Sequence, residues 1–208
     1  MITICEYNDG RCADYRPQEF VDRFLSICAE HRDQKRAMLF AFLIYDFLNP
    51  QVIKVLKDHD YWTSLDILAG SFVSVFAFHS PTDNSASSST TRLPQFNAPV
   101  ITILNQHFGI SNATMPTLLF FQVADEAIAG QQIVKLRATT VETAFEEINS
   151  ILKDAISAVS DVTPENFGNA EAIFTLVSQQ LSQRHTIVQL QKVAKQLKSV
   201  ASIAKWLA

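Results

Sequence analysis

Glycine and proline are scarce in this chain of 208 residues, with 5 and 7 copies, which excludes a flexible linker or a fibrous repeat. The three cysteines, Cys5, Cys12 and Cys28, are too few and too clustered for a disulfide scaffold. No run of about 18 apolar residues occurs, so no membrane-spanning helix is expected. The stretch MITICEYNDGR lacks the basic region, apolar run and small-residue site of a secretory signal, so the cytoplasm is the default compartment. Dinucleotide-binding, phosphate-loop, zinc-protease and nucleophile-elbow motifs are all missing. No cofactor or metal is therefore expected.

What is present is apolar. The chain is 48% hydrophobic with 15 phenylalanines, enough for a sizeable core. The net charge of −4 conceals an asymmetry: residues 1–171 carry 12 basic and 21 acidic side chains, residues 172–208 five basic and none acidic. Such a tail suits an acidic surface, its own or a partner's. Nucleic acid is not an expected partner, because the body is acidic and the basic residues are not interleaved with aromatics.

Residues 2–14 read as a strand followed by a turn at Asn8-Asp9-Gly10. Pro17 opens a helix whose Phe20, Val21, Phe24, Leu25 and Cys28 form one apolar face. Ala37 to Tyr45 is unbroken in its apolar character and suits a strand covered on both sides. Asn49-Pro50 then caps and starts a helix reaching about Gly70, and residues 72–78 form a second buried strand.

Residues 80–95, SPTDNSASSSTTRLPQ, read as an exposed loop. A helix ending near Phe108, a strand at 117–123 and another at about 131–138 follow. Thr139 and Glu142 suit a capping box for a helix carrying Val141, Phe145, Ile148, Leu152, Ile156 and Val159. Thr163-Pro164-Glu165 starts a further helix, and a last one is expected over about 184–206.

This order, with helices between buried strands and a late hairpin, predicts an α/β protein with a mixed sheet whose centre is parallel. Across about residues 2–160 it resembles the thioredoxin-like fold. The closest local likeness is HFGISNATMPTLLFF, where a helix and a short connection lead through a proline and a threonine into a buried strand. The resemblance implies a cis bond at Met115-Pro116, a three-layer domain over 1–160 and a two-helix extension over 161–208.

It also places the family's redox C-x-x-C in YDFLNPQVIKV, where Leu48 and Gln51 stand at the thiol positions. Neither side chain forms a disulfide, so the resemblance extends to the fold and groove but not to thiol exchange. The groove it implies gathers Asp46, Phe47, Leu48, Asn49, Pro50 and Gln51 with His79 and with Thr114, Met115 and Pro116. The 80–95 loop is then a lip, the Met115 backbone a docking edge for an extended chain, and Phe47 with Leu48 apolar contacts. A protein or peptide partner is the expected ligand, with a homodimer as an alternative arrangement.

Two other functions compete. A glutathione-transferase-like or thiol-dependent enzyme would recruit Tyr45 and Asp46, or one of the cysteines, although that family's second domain is much longer than the tail here. Cys28 lies on an apolar helix face and reads as a buried thiol. Cys5 and Cys12 flank a turn that juxtaposes them only with a two-residue loop, and free thiols are expected in a reducing compartment. A membrane-surface or assembly protein would act through the basic 184–206 segment, with Lys192, Lys195, Lys198 and Trp206. The favoured reading of that segment is a helix packed on its own domain or on a dimer mate. Asp58-His59-Asp60 reads as a solvated helix face rather than a metal site, because consecutive helical residues point apart.

Overall fold

The run from Ala37 to Tyr45 becomes the central strand of the sheet, β2 (Leu39–Ile44), with every residue buried. The computed structural model describes residues 2–5, 17–45, 49–79, 108, 110, 115–124, 127–162, 166, 168–182 and 186–189. The turn expected at 8–10, the loop at 80–95 and the tail beyond 189 lie outside them. So does the position of Cys12 relative to Cys5.

The elements in chain order are β1 (Ile2–Cys5), α1 (Pro17–Asp33), β2, α2 (Pro50–Lys57), α3 (His59–Ala69), β3 (Val73–His79), β4 (Thr117–Ala124), β5 (Ala127–Lys135), α4 (Val141–Ser160), α5 (Ala170–Leu181) and β6 (Thr186–Gln189). The mixed sheet has the strand order β1-β3-β2-β4-β5-β6. The first three strands run parallel, and β4, β5 and β6 add by antiparallel pairing. No helix among the described residues is long and apolar enough to cross a membrane.

Strand alternation sorts the core into two layers. Leu39, Ala41 and Leu43 of β2, with Val73, Val75, Leu118, Phe120 and Val134, face α2, α3, α4 and α5. Phe40, Phe42 and Ile44, with Phe76, Leu119, Phe121 and Ile133, face α1. Large rings fill that second layer: Phe24 of α1 sits 5.3 Å from Phe121 and 5.8 Å from Phe42 between ring centroids. The abundance of phenylalanine thus has a structural use.

Three sequence expectations are corrected. The helix expected over 50–70 is two, because Asp58 is extended and its Oδ1 accepts from the N–H of Asp60 and Tyr61 at 3.0 and 3.1 Å. An aspartate that bonds the backbone ahead of it starts a helix in preference to continuing one. The capping box of α4 lies one residue later than expected, between Thr140 and Thr143, with N–H to Oγ1 distances of 2.8 and 3.1 Å.

α5 begins at Ala170, capped by Asn169, and the helix start expected at 163–165 lies outside the described residues. The segment 186–189 is strand, where a helix over 184–206 was expected. Thr186, Ile187 and Val188 are three β-branched residues in succession, and β5 offers them a ladder. Ile173, Val177 and Leu181 of α5 share a core with β2, so residues 170–181 pack on the sheet.

Gln132 is the polar exception in this core. It is fully buried, opposite Phe120 in the ladder, and neither Oε1 nor Nε2 has a hydrogen-bond partner among the described residues. Gln122 and Gln131, by contrast, donate to the carbonyls of Met38 and Phe108. An unmade buried amide bond costs about 1–3 kcal/mol. Gln132→Leu is therefore expected to raise the unfolding free energy by about 1–2 kcal/mol in urea titration. A loss of stability would mean the amide is paired.

Candidate functional site

The parallel strands β1, β3 and β2 end together at Cys5, His79 and Ile44, and β4 begins at the same edge, since Ile44 pairs with Thr117. Open α/β sheets gather ligands at this edge. Of the residues expected there, Asp46, Phe47, Leu48 and Thr114 lie outside the described ones. Asn49 to Gln51, His79, Met115 and Pro116 are placed.

Asn49 is half-buried, and its Oδ1 accepts from the Val52 N–H at 3.0 Å, so its side chain is committed to capping α2. Pro50 is exposed at the first helical position, where no N–H is needed. Gln51 is half-buried and its Nε2 donates to the Thr139 carbonyl at 3.5 Å, tying α2 to the approach to α4.

Met115-Pro116 is a cis peptide. The Pro116 carbonyl accepts from the Leu136 N–H at 2.9 Å, and the Thr117 hydroxyl donates to the Val134 carbonyl at 2.8 Å. Both polar groups after the peptide are thereby consumed. Met115 is half-buried with its side chain on the α1-side core, and its own N–H and C=O have no hydrogen-bond partner among the described residues.

The structure thus brings the start of α2 and the entrance of β4 to one sheet edge, linked through the short path from Leu136 to Thr139. Thr139 was not expected in the site; its role depends on a backbone carbonyl, which leaves no side-chain signal. His79 takes its place as the last residue of β3 and the register partner of Cys5.

The remaining described thiol is inert. Cys28 is fully buried, and burial pushes its pKa well above the ordinary thiol value. On the α1 side, His31 Nδ1 and Ser74 Oγ are 2.7 Å apart. Burial lowers the His31 pKa, the Arg36 charge adds to this and Glu30 opposes it. The folded imidazole thus resists a proton that the unfolded chain accepts below about pH 6.5. The corresponding stability is present above that value and lost as pH falls toward the depressed folded pKa. Urea midpoints at about pH 7.5 and 5.5 are expected to differ more for the native chain than for His31→Gln; equal differences would remove this account.

Comparison with protein-family models, with curated proteins and with solved structures finds no match to the chain.

Proposed function

We propose that the chain is a thioredoxin-like protein or peptide binding module that works without dithiol chemistry. The fold part of this reading is supported by the order β1-β3-β2-β4-β5, by its change from parallel to antiparallel pairing at β4, and by helices on both faces. The functional part rests on one observation: the Met115 backbone at the entrance of β4, near the start of α2, has no hydrogen-bond partner among the described residues. An extended peptide would take hydrogen bonds from that backbone and lay side chains toward Gln51 and Pro50. Leu48 and Gln51, at the positions of the family's thiols, leave nothing to oxidise.

A photo-crosslinking residue at Gln51 tests this reading, with the same residue at Lys153 on α4 as control. A protein captured from lysate at position 51 but not at 153 is the expected result, and its yield should fall in a variant lacking residues 82–92. Equal capture at both positions, or none at 51, would overturn the proposal.

A further inference from the structure

α2 ends and α4 begins against a common open space. Lys54 and Lys57 occupy the last turn of α2, and Glu142 the first turn of α4. Each charge is of the sign its helix end favours. Packing of α2 on α4 turns these two local preferences toward one cleft of about 460 Å³, lined by Lys54, Lys57, Asp58, Tyr61, Val141 and Glu142.

Lys54 acts on Glu142 without touching it. The Glu142 carboxyl is held below its ordinary pKa by its own backbone N–H, then by the Thr140 hydroxyl, with Lys54 adding to the effect. Yet no ion pair within 4.0 Å joins Lys54, Lys57, Asp58 or Glu142 to another described residue. Asp58 already spends one oxygen on the N-terminus of α3. Tyr61 stacks on Phe145, ring centroids 4.5 Å apart, and its hydroxyl has no partner among the described residues.

A simple anion here would meet the Glu142 and Asp58 charges, and a simple cation two ammonium groups. A ligand carrying both signs meets neither obstacle. We infer that this cleft binds a small zwitterion of the amino-acid type, its carboxylate toward Lys54 and Lys57 and its ammonium toward Glu142. The site is distinct from the β4 entrance and does not depend on peptide binding there.

The test is an NMR titration of the full chain, following the backbone amides of Tyr61, Val141 and Glu142. The probes are glycine, glycylglycine and 6-aminohexanoate, which differ in charge separation, with acetate and ethylamine as single-charge controls. Saturable shifts are expected for at least one zwitterion and for neither control. Lys54→Gln, Lys57→Gln and Glu142→Gln should each weaken that binding by about tenfold, while amides of β5 keep their native positions as the check on folding. Shifts from acetate equal to those from the zwitterions would make this a plain anion site and overturn the proposal. So would the absence of saturation with every probe, or binding indifferent to all three substitutions in folded variants.

Discussion

Phe121→Ala is expected to lower the unfolding free energy by about 3–5 kcal/mol, measured by urea titration. Phe121 is fully buried on β4, and four rings surround it: Phe24 at 5.3 Å, Phe40 at 5.6 Å, Phe108 at 5.8 Å and Phe42 at 6.3 Å between centroids. Those partners come from α1, from β2 and from the segment before β4. Truncation therefore opens a cavity that no single element can close by moving. The loss combines the transfer free energy of the ring with the cavity left behind. Phe121→Leu keeps more of the volume and should cost less. A loss below about 1 kcal/mol for the alanine variant would mean that this side of the sheet collapses freely, contrary to its packing.

Gly130→Ala is expected to cost about 1–3 kcal/mol, although alanine ordinarily suits a strand better than glycine. The backbone at Gly130 is not the reason. A Cβ there would lie 2.6 Å from Phe174 Cδ1 and 2.8 Å from Cε1, and Phe174 is buried under α5. Something must shift, and the ring belongs to a helix whose Ile173, Val177 and Leu181 are also in the core. Either α5 rises from β5 or the strand bends. The double variant Gly130→Ala with Phe174→Leu gives a cleaner reading, because shortening the ring removes the obstacle. Its cost should be less than the sum of the single costs. Strict additivity would show that α5 does not press on β5 at this point.

Both predictions concern contacts that no local pattern reveals, and the same division runs through the rest of the molecule. Strand β2 was legible because a strand covered on both faces must be apolar at every position. Helix α2 was legible because Asn49-Pro50 combines a side-chain acceptor with a residue that needs no N–H. Asp58 was not legible as a break: an aspartate on an exposed helix face and one capping the next helix look alike until its oxygen is seen to accept two backbone N–H groups. The 186–189 segment fell inside an expected helix but holds three β-branched residues in a row. It pairs with β5 as a strand.

The candidate groove divides in the same way. The proline before β4 and the helix start at Asn49 stood out in the chain, whereas the union of Gln51 with Thr139 required a carbonyl to arrive from a distant segment. Composition and periodicity alone determined an α/β protein, its buried strands and the starts of α1 and α2, because these follow from burial and backbone chemistry within a few residues. Tertiary structure alone decided the strand order, the pressure of Phe174 on Gly130 and the facing of Lys54 and Lys57 toward Glu142. Each of those joins residues far apart in the chain, and their meeting depends on how whole elements pack.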